Sequence, residues 1–170
     1  MVNSLAGKFL TLLKRSGLSV VTAESCTAGL LAKTLSDAPG AAEHLAGGFV
    51  TYTKAQKAKA LGVSPRLLRN KGAVCSEVAS ALTRGALARS SADVAVAITG
   101  VAGPDPDEDG NPVGLVVIGV CRRGTLPTSF VHRLTGSRHR VRRMAVDAAL
   151  RQGMETIRKG LKRDRGPGVQ

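Results

Sequence analysis

Aromatic side chains are nearly missing: the 170 residues hold no Trp, one Tyr and three Phe. The core must therefore be built from Val, Leu, Ile and Ala. That composition suits small Ala-rich helices packed closely on Val/Ile strands, the layering of an α/β domain. Cysteine is scarce too. Cys26, Cys75 and Cys121 form an odd set with no CxxC pair, which suggests neither a disulfide framework nor a zinc site. The three His stand apart at positions 44, 132 and 139. No apolar run approaches the roughly 18 residues of a membrane span. Met1–Gly17 interrupts its apolar pattern with polar residues and lacks a small-residue cleavage site, so no signal peptide is read there. A reducing cytoplasm is the simple expectation. Acid is the third shortage: 12 Asp and Glu face 25 Lys and Arg, a formal net charge of +13. Such a chain can attract nucleic acid, an anionic membrane or an anionic substrate. Much of the excess falls late, from Arg133 to Arg165. It comes without interleaved aromatics, so bases would find no stacking platform. A solvated basic face and tail is favoured over a nucleic-acid surface.

What is present reads as one domain over residues 1–160, with a basic, disordered tail over 161–170. Ser4–Ser16 has the spacing of an amphipathic helix, closed by Gly17. Leu18–Ala23 reads as a buried strand that turns at Glu24–Gly29 into a helix reaching about Leu35. Phe49–Thr53 reads as a second strand, entered through Gly47 and Gly48. Helices follow over Lys54–Leu61, from Ser64-Pro65 to Gly72, and over Ser76–Ser90. Ala92–Thr99 and Gly114–Cys121 read as strands around a Gly/Pro/acid loop, Thr128–Leu134 as an edge strand, and Ser137–Lys159 as a long helix. Strands alternate with helices early and adjoin late. The expected fold is a three-layer α/β/α sandwich with a mixed, mostly parallel sheet.

Four places could carry chemistry. Glu24-Ser25-Cys26-Thr27 lies where a strand gives way to a helix, and free N–H groups there could serve an oxyanion or a phosphate. Ser25 or Thr27 could equally be only the helix cap. Thr51–Lys59 is a second strand-to-helix junction, carrying Tyr52 and three lysines. A lysine kept neutral by burial can act as base to a serine. Lys54 and Lys57 share a helical face and Lys59 points elsewhere. Around Thr99, Gly100 and Gly103 the glycines would let backbone approach a ligand closely. Arg138–Arg143 crowds arginines at a helix start, where cations are unfavourable unless they hold an anion.

These segments together resemble the family of the C-terminal domain of the competence/damage-inducible protein CinA. They are TAESCTAG (22–29), GGFVTYTKAQKAKALGV (47–63), KGAV (71–74), ITGVAGPD (98–105), PVG (112–114) and GSRHRVRR (136–143). The similarity runs from about Leu5 to Ile157. Stand-alone members are nicotinamide-nucleotide amidohydrolases. The resemblance implies hydrolysis of the nicotinamide mononucleotide carboxamide to nicotinate mononucleotide and ammonia, with no metal and no organic cofactor. It places the catalytic serine on Ser25, the tyrosine on Tyr52 and the lysine on Lys57. It places the arginine-bearing, phosphate-seeking segment on Arg138 to Arg142. Glu24, Cys26, Thr27, Thr99, Gly100, Gly103, Arg138 and Arg142 are then expected around the substrate. The expected partners are a phosphorylated small molecule and a second copy of the chain, with no membrane and with nucleic acid disfavoured. A non-catalytic nucleotide-binding regulator of the same fold and a basic nucleic-acid-binding protein are the rival readings.

The chain departs from the family pattern three times. Lys54 stands where Asn is common, Cys75 where Ser is usual, and Pro106–Asn111 replaces a Gly-Gly…Lys loop. The first departure adds a cation near Lys57. The third removes a cation and adds acid beside a phosphate-seeking site.

Overall fold

The computed structural model describes residues 4–164. The chain forms β1 (Val20–Glu24), β2 (Leu45–Val50), β3 (Val94–Gly100), β4 (Leu115–Arg122) and β5 (Thr128–Arg133). These build one sheet in the order β2-β1-β3-β4-β5. β1 pairs parallel with both β2 and β3, and the β3–β4 and β4–β5 pairings are antiparallel. Only β4 therefore runs against the rest. Helices α1 (Leu5–Ser16), α2 (Leu30–Ser36), α3 (Ala41–His44), α4 (Lys54–Leu61), α5 (Pro65–Lys71), α6 (Ser76–Ala88) and α7 (Arg138–Asp164) cover both faces. This is the α/β/α sandwich with a mixed sheet that composition and element order predict.

Strand alternation sorts the two faces by size. Val20, Val94, Val96, Ile98, Val116, Ile118 and Val120 pack against α1, α2 and α7. Val21, Ala23, Ala95, Ala97 and Cys121 face α4, α5 and α6. The small face lets α6 come close: a Cβ on Gly119 would lie 2.7 Å from the Ala79 carbonyl oxygen. On the other face Phe9 is fully buried and fills the notch left by Gly153 of α7. No helix among the described residues is long and apolar enough to cross a membrane.

Several boundaries differ from the sequence reading. β2 begins at Leu45 and ends at Val50, so Thr51 and Tyr52 lie beyond it. Gly47 and Gly48 lie inside the strand because a Cβ on Gly48 would meet Thr22 Oγ1 at 2.4 Å. The segment after β1 stays a turn through Gly29, and helix starts only at Leu30. α7 continues past Gly160 to Asp164, with Leu161 against the core and Asp164 paired to Arg122. The part of the expected tail over 161–164 is thus helical, and its remainder lies outside the described residues.

Candidate active site

The carboxyl ends of β1, β2 and β3 meet at the point where the chain leaves β1 for β2 on one side and reaches β3 on the other. Open α/β sheets gather ligands at such switch points. Ser25 is the first residue after β1, and its amide donates to the Ile98 carbonyl of β3 (3.0 Å). The next peptides form a tight turn, with the Ala28 N–H donating to the Ser25 carbonyl (3.0 Å). Ala28 takes φ 50°, an uncommon value for a residue with a side chain.

Sequence reasoning put Ser25 at a helix N-terminus with free amides. The structure corrects this. The buried Glu24 carboxylate accepts from the N–H groups of Gly29 (3.1 Å), Leu31 (2.9 Å) and Ala32 (2.9 Å). It caps α2 completely and turns that anion-binding end away from any substrate. The amides of Cys26 and Thr27, inside the turn, find no acceptor among the described residues.

Lys57 comes from α4, whose first turn is capped by the Thr53 hydroxyl on the Gln56 N–H. Lys57 and Leu61, four residues apart, are the buried pair of this helix. Lys57 is 1% exposed, and its Nζ lies 2.9 Å from Ser25 Oγ. The same nitrogen donates to the carbonyls of Thr51 (2.8 Å) and Tyr52 (3.3 Å). Burial brings its pKa down from 10.5 to about 8; the nearby Cys26 thiol opposes this and the Lys54 cation adds to it. In the neutral amine the two carbonyls hold two N–H bonds, which leaves the lone pair for the Ser25 hydroxyl proton. Cys26 is no competing nucleophile at neutral pH, since burial raises its thiol to about 11.

Tyr52 enters the site differently from expectation. Its carbonyl, not its phenol, touches Lys57. Tyr52 is 52% exposed, and its hydroxyl accepts from Arg138 Nη2 (2.8 Å). Arg138 Nη1 donates to the Gly103 carbonyl (2.6 Å), tying the start of α7 to the loop after β3. At the end of β3 Thr99 donates to the Ala73 carbonyl (2.8 Å). A Cβ on Gly100 would lie 2.8 Å from the Leu115 carbonyl oxygen, so that glycine is demanded by the chain's own packing.

The two charged departures from the family pattern find each other. Lys54 Nζ binds Asp109 (2.6 Å) and Glu108 (3.0 Å). Asp109 also accepts from the Ala73 N–H (3.1 Å), in the space that Gly72 leaves open. The added cation and the added acid therefore form one clasp across the cleft.

The cleft has a volume of about 450 Å³, room for a nucleotide-sized ligand. Of the expected residues, Ser25, Cys26, Tyr52, Lys57, Thr99, Gly100, Gly103 and Arg138 line it. Glu24, Thr27 and Arg142 do not. Glu24 is occupied as a cap, Thr27 is fully buried, and Arg142 Nη2 donates to the Thr27 carbonyl (2.7 Å). The acid of loop 105–111 stands beside the site as the sequence implies, whereas the carbonyl of Thr51 and the amide of Ala73 escaped the sequence reading. No local pattern announces them, although the burial of Lys57 was signalled by its position one turn before Leu61. Among the described residues no group of three His, Cys, Asp or Glu is placed to hold a metal ion.

A serine hydroxyl against a buried, partly neutral amine, opening on a cleft beside free backbone amides, can perform acyl transfer. The family model of the CinA C-terminal domain matches residues 2–157. The chain belongs to this family. Among CinA relatives, a putative competence-damage inducible protein of Caldicellulosiruptor saccharolyticus is 44% identical over 146 residues, 86% of this chain and 35% of that protein. A CinA-like protein of Mycobacterium tuberculosis is 42% identical over 88% of this chain and 34% of its own length. The chain thus spans about a third of the length of the curated relatives it matches. The crystal structure of a CinA superfamily protein from Escherichia coli superposes with a TM-score of 0.87 at 36% identity, covering 92% of this chain and 90% of that one. A competence/damage inducible protein from Agrobacterium tumefaciens gives 0.85 at 37% identity, with 91% and 93% covered.

Proposed function

We propose that this CinA-family domain is a serine amidohydrolase that removes ammonia from the carboxamide of nicotinamide mononucleotide. The observation that carries the reading is the 2.9 Å approach of buried Lys57 Nζ to Ser25 Oγ. Ser25 Oγ attacks the amide carbonyl carbon, and its proton passes to Lys57. The carbonyl electron pair moves onto oxygen, for which the Cys26 amide beside Ser25 and the Ala102 and Gly103 amides across the cleft are the available donors. As the tetrahedral adduct collapses, Lys57 delivers the proton to the departing nitrogen and ammonia leaves. The ester on Ser25 is then cleaved by water, with Lys57 again accepting and returning a proton. Among the described residues Arg138 is the cleft cation neither buried nor paired with a carboxylate. It uses two guanidinium N–H groups on Tyr52 and Gly103, and the remaining ones are offered to the substrate phosphate. Four carboxylates on the cleft wall, those of Asp105, Asp107, Glu108 and Asp109, disfavour a polyanion such as nucleic acid there.

The test is ammonia release from nicotinamide mononucleotide by the purified wild type and Ser25→Ala, with a chelator present. Release by the wild type, cut by more than about 10³ in the variant, supports the reading. Equal release by both proteins removes Ser25 from the chemistry, and silence from the wild type removes the substrate.

A further inference from the structure

Arg142 was expected on the substrate phosphate, but it points elsewhere. From the second turn of α7 its Nη2 reaches 115 positions back in sequence to the Thr27 carbonyl, at 2.7 Å. That carbonyl also accepts from the Leu30 N–H (3.0 Å), while the N–H of the same peptide, on Ala28, donates to Ser25 O (3.0 Å). The peptide between Thr27 and Ala28 is thus held at both ends. This hold accompanies the positive φ of Ala28 and fixes the course of the turn that leads from Ser25, with Cys26 on the cleft wall. The guanidinium makes no ion pair among the described residues. Its Nε is buried and meets no acceptor there. The cation is close enough to the turn to act on the Cys26 thiol, on which the buried Glu24 carboxylate acts in the opposite sense.

We propose that Arg142 is a positioning residue for the oxyanion-binding turn, clamping Ser25–Ala28 and lending its unpaired charge to the negative oxygen that forms there. The inference rests on Ser25 being the nucleophile, as proposed above, but not on the identity of the substrate. When Ser25 Oγ bonds to the carbonyl carbon and the proton moves to Lys57, the oxygen gains the charge that Arg142 then opposes through the turn. A phosphate contact would lower affinity for phosphorylated substrates only. A clamp on the turn lowers turnover on every substrate.

The experiment compares Arg142→Lys, Arg142→Gln and Arg142→Ala with wild type on three substrates. These are nicotinamide mononucleotide, its non-phosphorylated riboside and p-nitrophenyl acetate, whose cleavage needs the same turn but neither an amide nor a phosphate. The expected result for Gln and Ala is a kcat lower by about ten- to a hundredfold on all three, with KM nearly unchanged. Lys, which keeps the charge, retains more activity than Gln, and free guanidinium partly restores the Ala variant. Three outcomes overturn the inference. One is a rise in KM confined to the mononucleotide, another is wild-type turnover in Arg142→Gln. The third is an equal loss in Lys and Gln with no guanidinium rescue, which would mean simple loss of packing. If the wild type leaves the mononucleotide untouched yet cleaves the ester through Ser25 and Arg142, the substrate reading fails and this inference stands.

Discussion

Raising the pH from about 6 to about 9 should increase kcat/KM about ninetyfold, because the neutral fraction of a base with pKa about 8 rises from about 1% to about 90%. The structural origin is burial. A solvated lysine of pKa 10.5 would be neutral in about one molecule per thousand at pH 7.5, and lowering it to about 8 raises that to about a quarter. The gain in usable base is more than about a hundredfold. The assay is release of the acid product, followed chromatographically at substrate concentrations well below KM. The riboside is run in parallel, so that ionisation of the substrate phosphate is not mistaken for that of the enzyme. The expected profile climbs about tenfold per pH unit and levels above pH 8. Lys57→Arg should be inactive throughout, since guanidinium stays charged. A flat profile, or one that falls over this range, would refute Lys57 as the base. The same shift has a stability consequence. A lysine whose folded pKa is depressed binds its proton less well than in the unfolded chain. Unfolding free energy should therefore rise with pH between about 8 and 10.5, and Lys57→Met should abolish that rise.

Three further outcomes follow from the packing. Glu24→Ala strands three amide groups at the start of α2 and should destabilise by about 2–4 kcal/mol, measured by urea unfolding; a loss under about 0.5 kcal/mol would contradict the cap. Gly85→Ala would place a Cβ 2.1 Å from the Leu61 carbonyl oxygen, forcing α4 and its Lys57 away from α6. A stability loss of about 1–3 kcal/mol with a lower kcat is expected, and unchanged kinetics would show that α4 tolerates the shift. Lys54→Met removes a cation that depresses Lys57, so the inflection of the pH–rate profile should move upward; a downward move would contradict that coupling.

Elements bounded by their own chemistry were legible in the sequence. Gly62 closes α4, and Ser64-Pro65 and Gly72 bound α5 at both ends. The family resemblance likewise led to Ser25 and Lys57, which the fold brings within hydrogen-bond reach. What failed was whatever depends on distant partners. Gly47 and Gly48 looked like a strand entrance, yet β2 runs through them because Thr22 on the neighbouring strand leaves no room for a Cβ at 48. The start of α2 was placed early because its cap, Glu24, is the last residue of a strand and reaches forward five to eight positions. Nothing local to Tyr52 shows that its carbonyl serves the site beside its ring, yet that carbonyl meets Lys57. Arg142 was grouped with Arg138 by adjacency, but four residues along a helix brought its guanidinium to the Thr27 carbonyl and not into the cleft.

The clasp of Lys54 with Asp109 and Glu108 bears on any attempt to exchange parts between this domain and its relatives. Loop 105–111 grafted alone would deliver carboxylates to a cleft that has no lysine waiting for them, and that mismatch would repel an anionic substrate. The lysine moved alone would leave a bare cation one turn from the base. The two segments, separated by some fifty positions in the chain, are a single transferable module, and a chimera should move both or neither.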